Sequence, residues 1–156
     1  MSSSDLRDLY QEVILDHNKR PRNFGALEDA NRKAVGHNPL CGDKLTLYLR
    51  MEDERVAAVS FEGSGCAISK ASASMMTDSV KGRTIAEVDA LFRGFHEMVT
   101  ASPGAAPDAR LGKLAVFAGV ADYPTRVKCA SLAWHTLEAA LHHPDSVVTT
   151  EDETEK

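Results

Sequence analysis

Apolar residues recur along this chain in two periods, and the change from one to the other divides it into parts. Leu6, Leu9, Tyr10, Val13 and Ile14 fall at i, i+3, i+4, i+7 and i+8, one face of an amphipathic helix. Ser3 or Ser4 can cap that helix, Asp5 and Asp8 suit its positive end, and it stops before Pro21. The stretch 18–36, with Pro21, Asn23, Gly25 and Asn31, reads as loop with a short strand near Ala34. Leu45, Leu47 and Leu49 then alternate with Thr46, Tyr48 and Arg50, the period of a half-buried strand. After a polar turn at 52–55, a second strand over 56–61 completes an antiparallel hairpin, which Gly63 and Gly65 break.

From 67 to 81 the period is helical again, with Ile68, Ala71, Met75, Met76 and Val80 as apolar positions and Gly82 as the stop. Thr84-Ile85-Ala86-Glu87 is a capping box that opens a further helix through Val88, Leu91, Phe92, Phe95 and Met98. A loop over 101–107 leads to a short helix over 111–118 and a turn over 119–124. The last helix starts near Thr125, carries Cys129, Leu132, Ala133, Thr136, Leu137 and Ala140, and ends by Pro144. The order predicts an α+β protein: one N-terminal helix, a small antiparallel sheet of about three strands, then a group of helices. We expect one domain over 1–148 and, over 149–156, an acidic tail too poor in apolar residues to fold.

The bulk figures narrow the class. A chain of 156 residues with 43% hydrophobic and 26% charged residues suits one globular domain. Its formal charge of -5 argues against general nucleic-acid binding. No apolar run approaches the roughly 20 residues that span a bilayer, and the N-terminus lacks the pattern of a secretory signal, so a cytoplasmic location without membrane attachment is expected. The three cysteines are an odd count, which fits a reducing compartment better than a disulfide framework. Such thiols are core residues, metal ligands or reactive groups.

Their settings favour chemistry. Cys66 follows Gly63-Ser64-Gly65 and precedes a helix, where unpaired N–H groups and the helix dipole favour a thiolate. Cys129 lies in the first turns of the last helix beside Arg126 and Lys128, although it could equally pack in the core against Leu132 and Ala133. Cys41 shares the turn Pro39-Leu40-Cys41-Gly42-Asp43 with a carboxylate, and Gly42 lets the chain bend there. Three soft thiolates and one hard oxygen would complete the tetrahedral shell that zinc prefers. The six histidines are mostly bland; His37, four residues before Cys41, is a candidate outer group and not a ligand.

Several segments in order carry a family resemblance. These are Ile14-Leu15-Asp16-His17, Pro21-Arg22-Asn23, Asn38-Pro39-Leu40-Cys41-Gly42-Asp43, Gly63-Ser64-Gly65-Cys66-Ala67-Ile68-Ser69, Ala71-Ser72-Ala73-Ser74-Met75-Met76 and Arg126-Val127-Lys128-Cys129-Ala130. Together they resemble the SufU/IscU/NifU N-terminal family of iron–sulfur cluster assembly proteins over nearly the whole chain. The chain is more similar to the SufU branch, because Lys128 stands where the scaffold branch has a histidine before its third cysteine. A helix-sized stretch between Cys66 and Cys129 points the same way. The resemblance implies a SufE/IscU-like fold and a zinc ion held by Cys41, Asp43, Cys66 and Cys129. It implies that Cys41 accepts persulfide sulfur from a pyridoxal-phosphate (PLP) cysteine desulfurase of the SufS type, for a downstream cluster-assembly complex. Arg126 and Lys128 are accessory positions in this reading. Whether such a protein counts as a sulfurtransferase or as a carrier is left open.

Two alternatives stand beside it. The same cysteines could assemble a [2Fe-2S] cluster, with iron in place of zinc. Or zinc could be purely structural in an interaction adaptor, although structural sites usually use closely spaced cysteine pairs. A cysteine hydrolase lacks a persuasive histidine partner.

Overall fold

The computed structural model describes residues 3–39, 42–100 and 109–149. Helix α1 (Ser3–Lys19) leads through a loop to three consecutive antiparallel strands, β1 (Arg32–Asn38), β2 (Asp43–Glu52) and β3 (Arg55–Ser64). Helices α2 (Ala67–Val80) and α3 (Ile85–Thr100) follow, then a 3-10 segment (Ala109–Asp122), helix α4 (Pro124–His142) and a short strand β4 (Val147–Thr149). The expected α+β architecture is present, with one strand more than the hydrophobic pattern revealed. β4 pairs parallel to β1, so the sheet is mixed, in the order β3-β2-β1-β4. Three residues are too few to display a period of two, and Val147-Val148 follows Pro144 as though it were the start of the tail. The rest of the tail and the loop expected over 101–107 lie outside the described residues.

Strand alternation sets which side chains meet the helices. Ala34, Gly36 and Asn38 of β1 and Asp43, Leu45, Leu47 and Leu49 of β2 are buried on one face. Helix α4 crosses that face closely, because a Cβ at Gly36 would lie 2.1 Å from Thr136 Oγ1. Only glycine leaves room for that approach. Trp134 of α4 stacks on Phe95 of α3 at 4.9 Å between ring centroids, and Phe95 meets Phe117 edge-on. The 3-10 segment is longer than the short helix expected, for a readable reason. Gly112, with φ of 53°, kinks the segment, and beyond it Leu114, Phe117 and Val120 are buried and spaced by three, the repeat of a helix with three residues per turn.

The N-terminal half is tied down by polar contacts to α2. His17 Nδ1 lies 2.7 Å from Ser74 Oγ, the Arg22 N–H donates to Ser74 Oγ, and the Asn23 amide donates to Thr77 Oγ1. Burial lowers the pKa of His17, which favours the neutral ring in this contact. Among the described residues, no helix is long and apolar enough to cross a membrane.

Candidate metal centre

Three of the four residues expected to form the site come together at the end of the β1–β2 ladder. Asn38 and Asp43 form its last cross-strand pair, and Gly42 turns the chain there with φ of 73°. Because Asp43 is the first residue of β2, its side chain points to the helix-covered face and is 2% exposed. Strand β3 runs back beside β2 as far as Ser64, so the next two residues fall against Asp43. A Cβ at Gly65 would sit 2.4 Å from Asp43 Oδ1, so this glycine is required for the close approach. The Cys66 backbone N–H then donates to Asp43 Oδ1 at 2.8 Å.

Cys66 is the N-cap of α2, and its sulfur accepts the otherwise unpaired N–H of Ser69 at 3.4 Å. Its sulfur also lies 3.9 Å from Asp43 Oδ2. Cys129 enters from α4 and is buried, 3% exposed. It lies in the second turn of α4, whose N-cap is Tyr123, in the first turns as expected but beyond the unpaired N–H groups of the helix start. The ligand atoms of Asp43, Cys66 and Cys129 all lie within 4.8 Å of one another. Tetrahedral zinc with sulfur and oxygen ligands separates them by about 3.5–3.8 Å, so this donor set fits the ion after a small contraction. Cys41 lies outside the described residues.

The remaining sequence candidates are placed as follows. The Arg126 guanidinium lies over the exposed Tyr123 ring, 4.7 Å from its centroid, and not on Asp43. Lys128 lines a cleft of about 300 Å³ with His96, Ser131, His135, Val148 and Thr149, between α3, α4 and β4. His37 alternates with Asn38 along β1 and therefore points to the opposite face of the sheet. The group that reaches the ligands is Asn38, which the sequence reading passed over. Its Nδ2 lies 3.2 Å from Asp43 Oδ2 and 3.5 Å from Cys129 Sγ, and the residue is fully buried. The available signal was strand parity: Ala34, Gly36 and Asn38 share a face, so an amide in the last position had to meet whatever lay beneath it.

A mixed four-stranded sheet covered by helices, with two thiols and a carboxylate gathered at one strand end, defines a small α+β protein with a candidate soft-metal site. The chain belongs to the family of NifU-like N-terminal domains, whose sequence model matches residues 9–130. It is 40% identical over 141 residues to the iron–sulfur cluster assembly scaffold protein IscU of Streptococcus pyogenes serotype M1, covering 90% of this chain and 87% of that one. It is 39% identical over 139 residues to the zinc-dependent sulfurtransferase SufU of Bacillus subtilis strain 168, covering 89% and 93%. Among solved structures it superposes with a TM-score of 0.78 on FiSufU, a candidate cluster assembly scaffold for the SUF system from Fervidobacterium islandicum AW-1. That pair shares 37% identity over 90% of this chain and 99% of the other.

Proposed function

We propose that this protein serves iron–sulfur cluster assembly as a zinc-dependent acceptor and carrier of persulfide sulfur. The observation that carries the reading is the Asp43–Cys66–Cys129 group, a hard oxygen and two soft sulfurs within 4.8 Å of one another, which a small contraction brings to zinc-ligand spacing. The 39% identity to a protein named as a zinc-dependent sulfurtransferase supports it, and so does Lys128 beside Cys129, since a protonated lysine has no lone pair for a cluster iron. Zinc, when bound, keeps its thiolates deprotonated at neutral pH.

The residues then divide the work. Asp43, Cys66 and Cys129 hold the ion, and Cys41 is the fourth ligand and the acceptor. The Cys41 thiolate attacks the outer sulfur of a persulfide on a PLP-dependent, SufS-like cysteine desulfurase. A sulfur–sulfur bond forms to Cys41, the bond within the donor persulfide breaks, and the donor cysteine departs as thiolate. Sulfur changes hands without a net redox change. A reductant or a downstream assembly complex in the cytoplasm takes it from Cys41. Arg126 on Tyr123 offers an exposed cation and ring near the start of α4 for partner docking.

The test is alanine production by a cysteine desulfurase under mild reductant, with and without zinc-loaded protein. Multi-turnover stimulation that disappears in Cys41→Ser is the expected result; stimulation that survives Cys41→Ser sinks the acceptor role. The second reading, a scaffold for a [2Fe-2S] cluster, is favoured by the 40% identity to a relative named IscU. It predicts iron with equal acid-labile sulfide after anaerobic reconstitution, and intact transfer to an apo-protein.

A further inference from the structure

The Asn38 side chain is a fork placed between two ligands from distant parts of the chain. One nitrogen, Nδ2, reaches Asp43 Oδ2 at 3.2 Å and Cys129 Sγ at 3.5 Å. Asp43 opens β2 and Cys129 lies in α4, so this amide spans the sheet and the last helix. It does so with no solvent contact. An amide has two N–H bonds on that nitrogen, one for each acceptor. The rest of the site repeats the theme: Asp43 Oδ1 accepts from the Cys66 N–H and Cys66 Sγ accepts from the Ser69 N–H. Every described ligand therefore receives an N–H hydrogen bond, and the one from Asn38 to Cys129 comes from a side chain that also holds Asp43.

An N–H donor to a metal-bound thiolate draws electron density from sulfur, making it a weaker nucleophile and a poorer base, and donors around a site orient its ligands. We propose that Asn38 is a positioning residue of the metal centre, which sets the Asp43–Cys129 spacing and keeps the Cys129 thiolate unreactive on the metal. This proposal rests on the zinc reading of the site above, and goes beyond it in assigning Asn38 control of Cys129 reactivity. Replacing Asn38 by leucine keeps similar bulk and removes both donors.

The experiment compares native protein with Asn38→Leu without using any desulfurase, so it is separate from the test of sulfur transfer. Zinc affinity by chelator competition should fall about 10–100-fold, the usual cost of losing a partner that orients a ligand. Mass-mapped alkylation of the zinc-loaded protein should become severalfold faster at Cys129 and stay unchanged at Cys66. In the cobalt(II) form the sulfur-to-metal charge-transfer band should move to lower energy, as the sulfur becomes richer in electrons. Native-like affinity, labelling and band position would overturn the proposal; weaker affinity with Cys129 labelling and the band unchanged would overturn its reactivity half. If Asn38→Leu does not fold, the native protein loaded with cadmium-113 decides. A scalar coupling between the metal and an Asn38 side-chain amide proton is expected, and its absence rejects the hydrogen bond to metal-bound sulfur.

Discussion

Two trios of ionisable side chains bring their ligand-type atoms within 4.8 Å among the described residues, and they are built in opposite ways. Asp43, Cys66 and Cys129 come from β2, the N-cap of α2 and the body of α4, and N–H donors surround them. Asp89, Glu138 and His142 join α3 to the far end of α4, near solvent. There the His142 Nε2 lies 3.1 Å from Asp89 Oδ1. Burial, and then the neighbouring Asp89 carboxylate, pushes the Glu138 pKa up to about 7. Burial also pushes Asp89 upward, but hydrogen bonds from Glu138 and His142 outweigh it and hold that carboxyl below its ordinary range. The lesson is one of completion. The second trio neutralises itself by sharing a proton and an imidazole. The first has an N–H donor aimed at each carboxylate oxygen and each sulfur, an arrangement that orients these atoms for a cation.

The largest effect should come from removing a sulfur ligand. Cys66→Ser or Cys129→Ser is expected to weaken zinc binding by more than about 100-fold, beyond the usual cost of an outer partner. Asp89→Asn and His142→Ala should leave zinc stoichiometry at its native value. Metal analysis after dialysis reads both, and loss of zinc from the second pair would erase the contrast. Asp43→Ala should cost less, about 10–100-fold in chelator competition with the fold intact, because water can replace a hard oxygen ligand. Unchanged affinity would remove Asp43 from the ligand set.

Backbone fit comes next. Gly65→Ala drives a methyl group against the Asp43 carboxylate, and Gly36→Ala drives one against Thr136. Each should lower stability by about 1–3 kcal/mol in denaturant unfolding, the usual cost of overpacking. Only Gly65→Ala should weaken zinc binding directly. The smallest effect belongs to the self-neutralised trio. Because the folded-state pKa of Glu138 is raised to about 7, its contribution to stability is fully present below its ordinary pKa near 4.5 and is lost as pH rises through 7. Glu138→Gln should flatten that decline. At pH 8 it should melt about 2–4 °C above native, corresponding to about 1 kcal/mol after allowance for solvent screening.

The sequence made the helices, the hairpin and the turns around the cysteines legible because each rests on local periodicity or capping. Thr84 and Glu87 do form the capping box, with the Thr84 N–H donating to Glu87 Oε1 at 2.9 Å and the Glu87 N–H donating to Thr84 Oγ1 at 3.2 Å. What escaped notice depended on contacts made at long range. β4 has meaning only beside β1, and Asn38 looked like part of a turn until the register placed it opposite Asp43. His37 attracted attention because it stands four residues before Cys41, yet alternation along β1 turns it the other way. The 3-10 segment carried a legible spacing of three in Leu114, Phe117 and Val120, where only a short helix over 111–118 was expected.

The way the ligands are distributed along the chain has a mechanical consequence. The contact between Asp43 and Cys66 closes a span of 23 residues, while that between Asn38 and Cys129 closes one of 91. An ion joining Asp43, Cys66 and Cys129 is then a reversible cross-link, fastening the last helix to the first hairpin much as a disulfide would. Loading and release of the ion become events of chain topology. Proteolytic resistance of α4 should rise and fall with metal content, so a partner that takes a ligand from the metal also loosens the grip between the two ends of the domain.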